Sequence, residues 1–180
     1  MHRDSMTGAF TRKGLVSCLK IKSLHDAVAE GDFAVMFDID DFKVINDTHG
    51  HAVGDYVIHR FYDLIQSHLS QHGTIARWGG EEFLLVGHSM TEAALDSMLR
   101  KFLSVMEAAV YPAAVEHVSA SIGYSVAQGS RQNMNQNMSQ NQSLSWHSLI
   151  DQADQALYDV KHHGKNNVQN FRLLNASSPS

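Results

Sequence analysis

A single cysteine, Cys18, stands in 180 residues, so no internal disulfide is available and a reducing compartment is the natural setting. Cys18 falls in an apolar helical pattern and reads as a small core residue, not a nucleophile. No apolar run approaches the roughly twenty residues that a membrane-spanning helix needs, and no secretory leader is visible. The expectation is a cytoplasmic chain, or the cytoplasmic part of a longer, membrane-anchored protein, with no membrane contact of its own. A basic surface is lacking too. With a formal net charge of -5, the chain does not offer the counterion-releasing surface on which nonspecific nucleic-acid binding depends, so nucleic acid is not an expected partner. Internal repeats and an obvious coiled coil are likewise missing. Twelve histidines are present, but they are scattered; His162 and His163 read as solvent-facing on a helix, and none is assigned to a metal.

What is there suffices for one compact domain, expected over residues 1–174 with a disordered tail at 175–180. A 43% hydrophobic content buries a full core without disulfide or metal staples. Residues 11–30 read as a helix with Leu15, Leu19 and Val28 among its apolar positions. Ala34-Val35-Met36-Phe37 reads as a buried strand over 33–38, followed by a helix from near Asp41 and a longer one over 53–69. In the longer helix Val57, Ile58, Phe61, Leu64, Ile65 and Leu69 form one core stripe. Residues 74–78 and 82–87 form a hairpin around Gly79-Gly80-Glu81-Glu82. Thr91 caps a helix whose face is Leu95, Met98, Leu99, Phe102, Leu103 and Met106. Residues 118–126 alternate as a strand with Val118, Ala120, Ile122, Tyr124 and Val126 on one side. Gly129 to Ser145 is rich in Asn, Gln, Met and Ser and predicts a mobile polar loop. A last helix over 146–162 and an edge strand over 167–173 complete an α+β reading.

Two acidic clusters carry the chemistry. In Arg77-Trp78-Gly79-Gly80-Glu81-Glu82-Phe83 the glycines admit a bulky anion close to the main chain, and adjacent carboxylates suit a hard divalent cation. Read alone, the same segment is also an ordinary hairpin turn. The second cluster, Phe37-Asp38-Ile39-Asp40-Asp41, begins where a buried strand ends. A buried acid is costly unless paired, hydrogen-bonded or bound to metal, which makes Asp38 and Glu81 the candidate metal ligands. Asp40 or Asp41 is expected to cap the following helix.

These segments resemble the GGDEF family, whose active members are diguanylate cyclases. DIDDFKVINDTHGHAVGD, Asp38 through Asp55, meets every fixed position of the family's D-x-D-x-F-K-x-x-N-D-x-x-G-H-x-x-G-D, and residues 79–83 are its G-G-[DE]-E-F. DSMTGAFTR from Asp4 is similar to D-x-L-T-G-L-x-N-R, with Met6, Ala9, Phe10 and Thr11 as departures. ADQALYDVKHHGKNNV from Ala153 is similar to A-D-x-A-L-Y-x-A-K-x-x-G-R-N-x-V. The resemblance runs from residue 4 to residue 172.

It implies a central, mostly antiparallel sheet of about five strands wrapped by helices, similar to nucleotidyl cyclase and polymerase palm domains. It implies condensation of two GTP into cyclic di-GMP, with Mg2+, two per active site, as cofactor and Mn2+ as the other candidate. Asp38, Glu81 and the Ile39 carbonyl would hold the ions. Glu81 would also receive the proton, and Glu82 would lie near the metal or the attacking hydroxyl. Asn46 and Asp55 would read guanine, whose edge presents two donors beside an acceptor; without the motif, both residues are ordinary helix caps. The backbone at Phe42 and Lys43, with Lys161 and Lys165, would meet the triphosphate. Lys165 replaces the family's usual Arg, a point charge in place of a fork, and Lys43 is equally suited to a salt bridge with a nearby acid. Many members carry an R-x-x-D product site before the glycine pair; here Ser70 and Gly73 stand at those positions. The resemblance further implies an antiparallel catalytic dimer with a second copy and an upstream sensor or regulatory segment that brings the copies together. The alternative is a catalytically silent module that binds GTP or docks a partner.

Overall fold

The computed structural model describes residues 2–111, 115, 117–129 and 144–174. The expected polar loop at 129–145, apart from Gly129, Leu144 and Ser145, and the expected tail at 175–180 lie outside the described residues.

The elements follow in the order α1 (Arg12–Cys18), β1 (Phe33–Ile39), α2 (Phe42–His49), α3 (His51–Leu69), β2 (Thr74–Arg77), β3 (Glu82–Gly87), α4 (Glu92–Glu107), β4 (Ala120–Val126), α5 (Trp146–His162), β5 (Val168–Asn170) and α6 (Phe171–Leu174). The strands form one five-stranded sheet in the order β2-β3-β1-β4-β5. Its pairings are antiparallel except for β4 with β5. The sheet is therefore mixed and mostly antiparallel, as the resemblance implied.

Strand β1 is buried along its whole length because helices cover both faces of the sheet. Phe33, Val35, Phe37 and Ile39 point into a core shared with Val57, Phe61 and Ile65 of α3 and Leu95, Leu99 and Phe102 of α4. Ala34 and Met36 point the other way, into a core with Leu15 of α1 and Trp146, Leu149, Ala153 and Leu157 of α5. The two-residue period of a strand makes this division, and it places Asp38 on the face that carries α5.

The alternation expected for β4 holds, since Ala120, Ile122, Tyr124 and Val126 all lie in the α3–α4 core. Its opposite face carries small residues because α5 packs against it at backbone distance. A Cβ on Gly123 would lie 2.1 Å from the Leu157 nitrogen and 2.3 Å from the Ala153 carbonyl oxygen.

Two expected elements and one expected cap are corrected. The helix expected over 11–30 is only Arg12–Cys18, capped by Thr11, which accepts from the Gly14 amide. Beyond it Lys20 turns left-handed (φ 55°), and the main chain is used to hold the start of α5: Val28 N donates to Leu144 O, Trp146 N to Asp26 O and His147 N to Leu24 O. The apolar period of 19–28 is satisfied by packing Leu19, Leu24 and Val28 on the α5-side core without a helix. The edge strand expected over 167–173 is Val168–Asn170 alone; Asn170 Oδ1 accepts from the Arg172 amide and turns the chain into α6. Neither Asp40 nor Asp41 caps α2 with its side chain. Asp41 occupies the cap position in a left-handed conformation without a cap bond, and Asp40 is committed elsewhere.

Candidate active site

The two acidic clusters meet where β1, the middle strand of the sheet, ends and β3 begins. In the β1–β3 ladder Asp38 stands directly opposite Glu82, and Gly79, Gly80 and Glu81 form the turn that leads into β3. Asp38 is only 3% exposed. Its Oδ2 takes the Lys161 ammonium at 2.5 Å, while its Oδ1 is buried without a hydrogen-bond partner. Burial pushes the Asp38 carboxyl up to about 6; Lys161 pulls it down, and the charges of Glu81 and Glu82 push it further up. Burial likewise raises Glu82, reinforced by Asp154 and Glu81 and opposed by Lys161 and Arg12. An unpartnered carboxylate oxygen among three mutually repelling acids is a setting that a divalent cation relieves, and oxygen donors suit Mg2+. Among the described residues no three His, Cys, Asp or Glu side chains converge into a complete metal cage. Ile39 follows Asp38 as the last residue of β1, with its side chain in the opposite core.

The glycine turn is held from outside the motif. Arg77 donates through Nε and Nη2 to the Gly80 carbonyl, at 3.1 and 2.7 Å, and through Nη1 to Asp4 Oδ1 at 3.0 Å. Asp4 itself accepts from the Thr7 amide and hydroxyl. Burial alone would raise Asp4, but these Thr7 bonds and Arg77 outweigh it and lower its pKa. Arg12 donates to the Trp78 carbonyl and lies 4.1 Å over the Trp78 ring. The turn folds tightly over Glu82: a Cβ on Gly79 would lie 2.3 Å from Glu82 Oε2. None of Asp4, Arg12 and Arg77 was a candidate from sequence. The available signal was that Asp4 and Arg12 fall in the DSMTGAFTR block and Arg77 lies two residues before the glycine pair.

Asp40 is the other omission. It is buried and accepts from Ser119 and Ser121 hydroxyls, at 2.7 and 2.6 Å, and from the Asn166 amide at 3.0 Å. It thereby ties β1, β4 and the turn after α5 together. On the far side of α2, Asn46 Oδ1 is buried without a partner and lies where a Cβ on Gly54 would come within 1.8 Å. Asn46 is therefore packed against Gly54, the residue that precedes the exposed Asp55. Phe42 is partly buried on the α3–α4 core, at the first position of α2.

Each of the candidate lysines is held by a carboxylate: Lys161 by Asp38, Lys43 by Asp47 at 2.5 Å, and Lys165 by Asp41 at 2.6 Å. Lys43 is 85% exposed, so the salt-bridge reading describes its present state. The hydrogen bond from Lys165 to Asp41 raises the Lys165 pKa.

A sequence profile of the diguanylate cyclase GGDEF domain matches residues 1–167. The chain is 38% identical over 136 residues to diguanylate cyclase A of Treponema denticola, covering 74% of this chain and 33% of that protein. It is 31% identical over 169 residues to diguanylate cyclase DgcM of Escherichia coli K12, covering 93% and 38%. The chain thus spans little more than a third of the length of these curated relatives. Among solved structures, the GGDEF domain of Pseudomonas aeruginosa YfiN superposes with a TM-score of 0.75 at 24% identity, covering 97% of this chain and 99% of that one, a likeness of fold. Profile, relatives and architecture agree, and the chain belongs to the GGDEF domain family of the diguanylate cyclases.

Proposed function

We propose that this chain is a diguanylate cyclase domain that condenses two GTP into cyclic di-GMP and releases two pyrophosphates. The observation that carries the reading is the buried Asp38 carboxylate, with one oxygen unpartnered, directly across the ladder from Glu82 and within the field of Glu81. Asp38, Glu81 and the Ile39 carbonyl would hold Mg2+, two ions per site, with Mn2+ as the other candidate. Such sites use one or two carboxylates and leave the remaining positions to substrate phosphates and water, so an incomplete protein cage is what they require. A bound ion there would lower the pKa of a ribose 3'-hydroxyl and neutralise phosphate charge.

The side chains supply the rest. Glu81 accepts the proton of the attacking hydroxyl, and Glu82 follows it as the first residue of β3. Lys161 and Lys165 exchange their present carboxylate partners for phosphate oxygens, and the uncapped first turn of α2, at Phe42 and Lys43, offers main-chain amides to the same anion. Asp55 accepts from guanine N1-H and the 2-amino group, and Asn46 donates to O6. One site holds one GTP, so ring closure needs a second copy facing the first, and an upstream regulatory segment is the expected means of bringing copies together.

Product feedback through an R-x-x-D pair is not expected. Ser70 and Gly73 supply neither group, and a side chain at Gly73 would meet the Val86 carbonyl oxygen at 2.2 Å. Micromolar noncompetitive inhibition by cyclic di-GMP would contradict this. The function itself is tested by fusing the chain to a dimerising coiled coil, incubating it with GTP and Mg2+, and separating the nucleotides. Cyclic di-GMP is the expected product; GTP bound but unchanged would point instead to a silent nucleotide-binding or partner-docking module.

A further inference from the structure

Asp41 has a local role open to it that it does not take. At the cap position of α2, an aspartate ordinarily turns its carboxylate onto the free amides of the first helical turn. Here the backbone is left-handed (φ 52°, ψ 29°), no side-chain cap bond forms, and the carboxylate lies on the Lys165 ammonium at 2.6 Å.

The segment carrying Lys165 is docked against this spot and held in an unusual conformation. Gly164, Lys165 and Asn166 are consecutive residues with positive φ, at 110°, 62° and 46°. For Lys165, which lacks the local hydrogen-bonding options of Asn or Asp, that region is costly. Two successive acids hold the turn: Asp40 accepts the Asn166 amide and Asp41 takes the Lys165 side chain. One ammonium, one carboxylate and the uncapped amides of α2 therefore sit side by side, and the carboxylate occupies the position of an anion on the lysine.

We propose that Asp41 is an internal competitor for Lys165: in the nucleotide-free protein its carboxylate holds the ammonium, and the triphosphate of GTP has to displace it, so that Asp41 sets nucleotide affinity without touching the reacting atoms. The inference rests on the triphosphate reading of the site given above and adds a determinant that this reading does not contain. Both partners are partly exposed, at 39% and 58% for the Lys165 and Asp41 side chains, and exposed ion pairs are weak. Their competition is therefore worth about a two- to fivefold change in affinity, not orders of magnitude.

The test is a double-mutant cycle on the full chain, reading the dissociation constant of a nonreactive GTP analogue with Mg2+ by calorimetry, and KM against kcat on the dimerised protein. Asp41→Asn is the informative variant because Asn tolerates the left-handed backbone and is nearly isosteric. It is expected to tighten analogue binding and lower KM about two- to fivefold, with kcat unchanged. Lys165→Met is expected to weaken binding, and in that background Asp41→Asn should have no further effect, because the competition has lost its object. Tightening of equal size with and without Lys165 would overturn the proposal in favour of simple charge repulsion. Weakening by Lys165→Met with no change from Asp41→Asn would also overturn it while leaving the triphosphate reading intact. Equal affinities across all four proteins would instead remove Lys165 from the nucleotide site, and the reading and the proposal would fall together.

Discussion

Asp38 is held in an unfavourable state by its surroundings, and that cost has a sign that can be worked out. Its folded pKa of about 6 lies above the ordinary 3.8, so between those values the folded state binds more protons than the unfolded one. Stability without metal therefore falls as pH rises from about 4 through 6 and stays reduced above that. Asp38→Asn removes the buried charge and is expected to stabilise the metal-free protein by about 1–3 kcal/mol at pH 7.5, while abolishing cyclase activity. Thermal unfolding in EDTA at pH 4 and pH 7.5 checks it, and a variant less stable than the parent at pH 7.5 would contradict the account. Gly54 makes a second, opposite case. A methyl there would lie 1.8 Å from Asn46 Oδ1, so Gly54→Ala should displace Asn46 and raise KM for GTP about tenfold or more, since lost base contacts leave polar groups unpaired. An unchanged KM would remove Asn46 from base recognition. Asp38 stands out in sequence as an acid that ends a buried strand, whereas Asn46 and Asp55 carry a base-reading expectation only through the family motif and are ordinary helix caps without it. Asp40 was not legible, because its partners Ser121 of β4 and Ser119 just before it lie far along the chain and nothing local distinguishes it from a cap.

Among the elements, the hairpin of β2 and β3 carries Glu81 and Glu82, and its turn is fixed by Arg77 through a forked contact to Gly80 and an anchor on Asp4. Arg77→Lys keeps the charge and loses the fork. The expected result is a fall in kcat of about tenfold or more, because a misplaced carboxylate loses its geometry, with a thermal midpoint little changed. A kcat equal to the parent's would assign Arg77 to stability alone. Strand β4 and α5 pack at backbone distance at Gly123. Gly123→Ala is expected to destabilise by about 1–3 kcal/mol, the cost of overpacking, readable as a lower urea midpoint. Periodicity found the cores of α3 and α4 well, since each has a continuous apolar stripe. It failed between Leu19 and Asp32, where the same apolar residues pack without a helix and the amides and carbonyls serve the start of α5. The Arg77–Asp4 anchor joins two segments separated by most of the first half of the chain, a relation that no window of sequence contains.

The molecule as a whole is a mixed sheet with helices on both faces, and its acids gather where β1 ends and β3 begins. That placement follows from the alternation of strand and helix patterns, which the sequence displays plainly, and from motifs that only a family resemblance could interpret. Under the proposed reaction each domain supplies one half of the product's bonds, so specific activity of the undimerised chain should rise with protein concentration and level off when the chain is fused to a dimerising coiled coil. Activity per domain independent of concentration in the unfused chain would contradict the need for a facing copy. The most direct measurement is a crystal structure of the chain with a nonreactive GTP analogue and Mn2+, located by its anomalous scattering. The account predicts Mn2+ coordinated by the carboxylates of Asp38 and Glu81 and by phosphate oxygens, with guanine between Asn46 and Asp55. An analogue bound with its metal away from Asp38, or with Asp38 still paired only to Lys161, would contradict it.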